Sequence, residues 1–234
     1  NLTRKFMASG KRARRDNVIQ LERNPVEYGF TDVKPLNFIQ AEYLRAIQSN
    51  QIVFGVGSAG TGKTYVAATY AAGELFHRRI QKIILTRPNV ETGRGLGFLP
   101  GTLEEKYAPY LEPFDNVFAR SLGKGFYEYA LKAKTIEPKP LGFMRGATFD
   151  NCIVLLDEAQ NATKEEMKML LSRIGKNCKM IISGDVDQSD IPDSGLSDAI
   201  HRLDCIPDIE VVRFMDDDIV RSKMCKQIIL AYRD

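Results

Sequence analysis

Eight consecutive residues, Gly57-Ser58-Ala59-Gly60-Thr61-Gly62-Lys63-Thr64, have the types and spacing needed to hold a phosphate chain. The three glycines let the backbone curl until successive N–H groups point at phosphate oxygens, and the helix expected from Lys63 adds the positive end of its dipole. Lys63 is placed to bridge the β- and γ-phosphates, and the Thr64 hydroxyl to ligate Mg²⁺. A divalent cation at that point needs a further acid from a neighbouring strand. Ile153-Val154-Leu155-Leu156-Asp157-Glu158 provides one, because four apolar residues bury a strand and two carboxylates emerge at its end. Asp157 is assigned to Mg²⁺, and Glu158 to orienting and deprotonating the attacking water. A third element, Ser183-Gly184-Asp185-Val186-Asp187-Gln188, again follows a strand-like run. Gln188 there could contact the γ-phosphate and distinguish ATP from ADP.

These groups need elements that bring them to one place. Ile52–Val56, 82–86, 152–156, 178–183 and 208–214 read as short buried strands, being apolar and rich in β-branched residues. Between them 35–49, 63–77, 163–174 and 195–203 have helical spacing, and a last helix is expected near 217–232. Strands alternating with helices give an α/β class with a mainly parallel sheet covered on both faces. Ligands of such sheets bind at the carboxyl edge of the strands, which is where all three motifs fall. The stretch of about 93–149 breaks the rhythm with prolines, glycine turns and aromatics. It is read as an insertion with its own helices and a hairpin. Tyr107, Tyr110, Phe126 and Tyr127 in it are candidates for stacking bases, or for plain core packing.

Composition limits the alternatives. The 234 residues are 44% hydrophobic and 27% charged, enough for one large domain with its own core. The expected division is an arm of residues 1–30 followed by one domain of 31–234. No apolar run approaches the roughly 18 residues that span a bilayer, so no membrane insertion is expected. No secretory leader is visible, and the opening Asn1 in place of Met suggests a trimmed start. Four cysteines without a CxxC pair and two histidines make neither a disulfide framework nor a zinc site, so a reducing cytoplasmic setting is expected. Cys152 and Cys178 fall in strands and read as core thiols. The net charge of +3 hides an asymmetry: residues 1–15 carry six basic residues and no acid, leaving −3 for the rest. Such an arm could hold a phosphate backbone or be a solvated terminus.

Taken in order, GSAGTGKT, LLDEAQN (155–161) and GDVDQ (184–188) resemble the PhoH-type ATPases. So do LGFLPGTLEEKYAPYLEPFDN (96–116), the Phe143-Met144-Arg145-Gly146 segment and Asp218-Ile219-Val220-Arg221, giving a resemblance over about residues 30–232. It implies a RecA-like P-loop NTPase core related to superfamily 1 helicases, using ATP and Mg²⁺. It carries the phosphate-loop role to Gly57, Gly60, Gly62, Lys63 and Thr64, the acidic motif to Asp157, Glu158 and Gln160, and the sensor to Gln188. Asn37 and Gln40 resemble the upstream glutamine motif that contacts adenine in related motors. Two departures stand out: Ser58 where proline is common, and Ser222-Lys223 where His-Pro often follows the terminal arginine.

Related motors close the site with arginines from a second core. Here the arginine must come from a neighbouring subunit or another part of this chain, with Arg221, Arg145 and Arg87 the candidates in that order. A homo-hexameric ring acting on RNA or single-stranded DNA is therefore expected. The alternative is an ATP-dependent switch or assembly protein with a protein partner, which the −3 outside the arm favours. A nuclease is disfavoured, since Asp216–Asp218 reads as a helix start and Asp185, Asp187, Asp190 and Asp193 as a loop.

Overall fold

Runs such as Ile-Val-Phe-Gly-Val and Cys-Ile-Val-Leu-Leu cannot leave either face in water, so they fold as strands covered on both sides. The fold is taken from a computed structural model that describes residues 29–88 and 112–231. In chain order the elements are α1 (Phe38–Ser49), β1 (Ile52–Gly57), α2 (Lys63–Phe76), β2 (Lys82–Thr86), α3 (Glu112–Leu122), α4 (Lys124–Lys132) and β3 (Ile136–Pro138). They continue with β4 (Cys152–Leu156), α5 (Lys164–Leu171), β5 (Cys178–Gly184), α6 (Gly195–Leu203), β6 (Ile209–Phe214) and α7 (Lys223–Ala231). Among the described residues the strands form one six-stranded sheet in the order β3-β2-β4-β5-β1-β6. Every pairing is parallel.

The register brings the strand ends together. Thr86 pairs with Leu156, Val56 with Gly184 and Gly57 with Phe214, so the segments after β2, β4, β5, β1 and β6 leave the sheet side by side. Alternate strand residues feed two cores. Val53, Ile83, Leu85, Ile153 and Ile181 pack with Tyr43 and Ile47 of α1 and Ala67, Ala68, Ala71 and Ala72 of α2. Phe54, Val154, Leu156, Met180 and Ile182 face the other way, against Met167 and Leu170 of α5 and Leu196 and Ile200 of α6. Cys152 and Cys178 are core thiols, each 2% exposed. This is the expected α/β, RecA-like arrangement. Among the described residues no helix is long and apolar enough to cross a membrane.

Two expectations about elements are corrected. The expected last helix begins at Lys223, not near 217. Asp216–Asp218 is a single 3-10 turn, held by Asp218 Oδ2 accepting from Met215 N–H at 2.7 Å. Val220 N–H donates to the Gly60 carbonyl at 3.0 Å, a bond to the phosphate loop that replaces a helical one. In the 93–149 stretch the described part has α3 and α4, but its strand is no hairpin. β3 joins β2 in parallel, Ile83 opposite Ile136, and extends the main sheet. Tyr127 is buried and Phe126 packs against the core, so both take the packing role rather than offering faces to a base. The basic arm, the LGFLPG segment, Tyr107 and Tyr110 lie outside the described residues.

Candidate active site

The phosphate loop needs backbone that only glycine adopts readily. Gly62 has φ 89°, and a Cβ there would lie 2.4 Å from Gln40 Nε2; Gly57 has φ 139°, and its Cβ would meet the Phe214 carbonyl at 2.1 Å. The buried Thr61 donates to the Ser58 carbonyl at 3.0 Å, closing the curl. Lys63 begins α2 and is 8% exposed. Its ammonium donates to the Gly57 carbonyl at 2.6 Å, the Ser58 carbonyl at 2.8 Å and Thr61 Oγ1 at 3.2 Å. Burial lowers the Lys63 pKa, and the charges of Asp185, Asp157 and Glu158 oppose that shift.

Gln40 lies behind the loop. It is fully buried, its amide oxygen accepts from Leu36 N–H at 2.8 Å, and its nitrogen donates to the Thr61 carbonyl at 2.9 Å. Both ends of the amide are used, so Gln40 braces the loop and does not line the cleft. Asn37 caps α1 by accepting from Gln40 N–H at 3.0 Å and donates to the Asp218 carbonyl at 3.2 Å. Ser58, at the position where proline is common, donates to Asp216 Oδ1 at 2.7 Å and ties the loop to the turn after β6.

Across the cleft, β4 ends in Asp157 and Glu158. Asp157 is 8% exposed, and its Oδ2 accepts from Arg87 at 2.6 Å. Glu158 has φ 55°, a left-handed backbone rare for a side-chain-bearing residue. The Glu158 carboxylate lies 3.9 Å from Arg87 and accepts from Gln160 Nε2 at 2.6 Å. β5 delivers Asp185, 6% exposed, whose Oδ1 accepts from Asp187 N–H at 3.2 Å while Oδ2 is buried without a hydrogen-bond partner.

Ala59, Gly60, Gly62, Lys63, Thr64, Arg87, Asp157, Glu158, Asp185, Gln188 and Arg221 line one cleft of about 460 Å³. Of the residues anticipated for phosphate, metal, base and sensor, Ala59, Gly60, Gly62, Lys63, Thr64, Asp157, Glu158 and Gln188 therefore converge. Gly57, Ser58 and Thr61 belong to the loop without lining the cleft, and Gln40, anticipated as an adenine contact, is not among its lining residues. Arg221 is exposed and lies against the phosphate loop of its own chain, since a Cβ on Gly60 would be 2.7 Å from Arg221 Cγ. Arg87 is drawn in by Asp157. Arg145 does not join them; it is exposed beside Gly142 and Thr163 in a separate hollow. Sequence reasoning gave Asp185 to a loop and Gln160 no contact. The clue to Asp185 was its place directly after a buried strand, the same placement that marked Asp157.

The donor set suits a hard divalent cation. The Thr64 hydroxyl, Asp157 and the unpartnered Asp185 oxygen are all oxygen donors, the kind Mg²⁺ prefers. Among the described residues no group of three or more His, Cys, Asp or Glu could hold a metal alone. Mg²⁺ commonly takes one or two carboxylates plus substrate phosphates, so this is consistent with a site shared with nucleotide.

The comparisons with known proteins bear on fold and family. The large terminase of a thermophilic bacteriophage superposes with a TM-score of 0.53 at 13% identity, over 86% of this chain and 51% of that one, a likeness of fold alone. Protein PhoH of Escherichia coli (strain K12) is 44% identical over 209 residues, 86% of this chain and 59% of that protein. The PhoH-like protein of Bacillus subtilis (strain 168) is 47% identical over 196 residues, 82% of this chain and 61% of the relative. The chain thus spans about 59–61% of the length of these curated relatives. A model of the PhoH-like protein family matches residues 32–233, and with that span and those identities the chain belongs to the PhoH-like protein family.

Proposed function

We propose that this chain hydrolyses ATP with Mg²⁺ and couples the reaction to work on RNA or single-stranded DNA. The observation that carries the reading is the convergence of Lys63, Asp157 and Glu158 on one cleft at the carboxyl edge of a parallel sheet. The loop amides and Lys63 bind the phosphates. Thr64 and Asp157 would hold Mg²⁺, and the buried Asp185 Oδ2, which lacks a hydrogen-bond partner and lines the same cleft, is a further oxygen donor. Held there, Mg²⁺ would supply positive charge that offsets the negative charge of the phosphates. Glu158 accepts the proton of the water that attacks the γ-phosphorus, and Gln188 reads whether a γ-phosphate is there. Arg221, lying on the loop of its own chain, supplies positive charge in cis. Cytoplasmic placement accords with four cysteines that are all free thiols.

The test is steady-state ATPase rate at fixed salt, with and without single-stranded RNA and DNA. Glu158→Gln is expected to keep nucleotide affinity and lower the rate by about 10²-fold or more. A Glu158→Gln protein with wild-type turnover sinks the assignment of the base. Either polymer is expected to raise the rate several-fold, with binding that weakens steeply as salt rises. The homo-hexameric ring is tested by mass in solution with and without ATP. An obligate monomer with full activity argues against it.

A second reading, a switch acting on a protein partner, draws on the −3 charge outside the arm and on the exposed Met215, Met224 and Ile228 near the C-terminus. A turnover rate indifferent to every polymer favours it.

A further inference from the structure

The segment that carries Glu158 is clasped to the loop after β5 by two side-chain amides. Gln160 is 3% exposed, and its amide is used at both ends: Nε2 donates to Glu158 Oε2 at 2.6 Å, and Oε1 accepts from Asp185 N–H at 3.0 Å. The Gln160 carbonyl accepts from Ser189 Oγ at 3.0 Å. One residue on, Asn161 donates to Asp190 Oδ2 at 3.0 Å and accepts from Asp190 N–H at 2.9 Å. Asp185 also holds the sensor residue, since its carbonyl accepts from Gln188 N–H at 3.1 Å.

This fit leaves little freedom. A Cβ on Gly184 would lie 2.9 Å from Gln160 Oε1 and 3.1 Å from Gln160 N, so the loop approaches as closely as glycine permits. The amide orientation is fixed by its partners, because a flip would face an N–H toward the Asp185 N–H and an oxygen toward a carboxylate. A side chain that donates at one end and accepts at the other is needed here; an ionised carboxylate only accepts and an alkyl group does neither. Glu158 is itself held in a strained backbone, so its carboxylate depends on neighbours for its position.

We propose that Gln160 is a positioning residue that makes the placement of Glu158 depend on the 185–189 loop, so that what Gln188 meets in the cleft reaches the base. The inference rests on the reading of Glu158 as base and Gln188 as sensor. It adds a route between them: a displacement of Gln188 moves Asp185 through its carbonyl, and the Asp185 N–H on the other side of the residue pulls the Gln160 amide and so the carboxylate. Asn161 keeps the loop in reach through its side-chain bonds to Asp190, and meets Glu158 through its backbone, Asn161 N–H donating to the Glu158 carbonyl at 3.0 Å.

The experiment is a double-variant cycle on turnover with Gln160→Leu and Gln188→Ala, alongside Gln160→Glu, which keeps the acceptor and removes the donor. Gln160→Leu is expected to lower kcat by about 10²-fold, with KM for ATP within about threefold of wild type. With Gln160→Leu in place, adding Gln188→Ala should cost no more than about twofold further, because the two act through one link. Independent, multiplying losses overturn the proposal, as does a Gln188→Ala chain with wild-type turnover, which leaves nothing to transmit. Should Gln160→Leu fold poorly, Gln160→Glu serves in the same cycle with the same criteria.

A readout apart from turnover uses the absence of tryptophan from the sequence. Val186, 38% exposed, lies in the sensor loop, so V186W is a lone reporter there. Glu158→Gln should change the V186W emission of the ATP-analogue complex when Gln160 is present and leave it unchanged when Gln160→Leu is added. An equal change in both backgrounds overturns the link. Wild type and Glu158→Gln alone report on ATP hydrolysis itself, so failure of that reading is seen separately.

Discussion

At the scale of single residues, two glycines show how differently the same substitution acts. Gly62 sits at φ 89° with Gln40 Nε2 2.4 Å from where a Cβ would stand, and Gln40 is what holds the Thr61 carbonyl. Gly62→Ala must strain the backbone and displace that brace. It is expected to lower stability by about 1–3 kcal/mol and to weaken ATP binding at least tenfold, read by urea unfolding and nucleotide titration. Gly142 has nothing within 4 Å of its Cβ position, so Gly142→Ala should stay within about 0.5 kcal/mol of wild type in the same assays. The glycine spacing was legible in sequence because the φ requirement is local. The part played by Gln40 was not, since the same residue on a helix can face a base or a backbone carbonyl, and which it does depends on where the loop packs.

At the scale of elements, the strap between β6 and α7 matters more than its sequence suggested. The run from Asp216–Asp218 onward reads as the start of the helix expected near 217–232, yet its bonds go elsewhere. Asp216 accepts from Ser58, Val220 N–H donates to the Gly60 carbonyl at 3.0 Å, and Arg221 follows directly over the phosphate loop. Removing the Val220 donor should free the strap while the sheet stays intact. Val220→Pro is expected to reduce turnover or ATP affinity about tenfold with little change in melting temperature, and a variant as active as wild type would show that Arg221 has no part in the site. α5, by contrast, follows local rules. Thr163 and Glu166 form a capping box, the N-cap hydroxyl accepting from Glu166 N–H at 3.2 Å and the Glu166 carboxylate accepting from Thr163 N–H at 2.9 Å. Its start could be read from four letters. β3 could not, because a three-residue strand is defined by the partner it meets, β2.

At the scale of the whole molecule, burial decides how the protein responds to its surroundings. Tyr43 and Tyr127 have pKa values raised by burial, Tyr127 also by its hydrogen bond to Asp115, and Tyr70 is pushed up to about 12 by burial and the Glu74 charge. The folded chain keeps these phenolic protons while the unfolded chain releases them near pH 10. Their contribution is therefore complete below about pH 10 and falls as pH climbs toward about 12. The urea midpoint should drop as pH rises from about 10 toward about 12, and Tyr127→Phe should make that drop shallower. The thiols divide in the same way. Cys205 is exposed, whereas Cys152 and Cys178 are buried with sulfurs 3.8 Å apart on neighbouring strands. A maleimide under native conditions should label Cys205 first and reach the strand pair only on unfolding; early labelling of Cys178 would mean that the sheet opens at that edge.

The sequence by itself determined the parallel α/β class, the phosphate loop, and the two carboxylates at the end of β4. Each depends on short-range physics: buried β-branched runs, glycine dihedrals, and acids that emerge where an apolar strand stops. Only the tertiary structure decided that Asp185 lines the same cleft as Asp157, that Gln160 joins Glu158 to the loop after β5, and that Arg221 reaches the loop of its own chain while Arg145 stays apart. Those relations link residues 25, 28 and 161 positions from their partners or brought side by side by strand order, and no local pattern encodes which strands become neighbours.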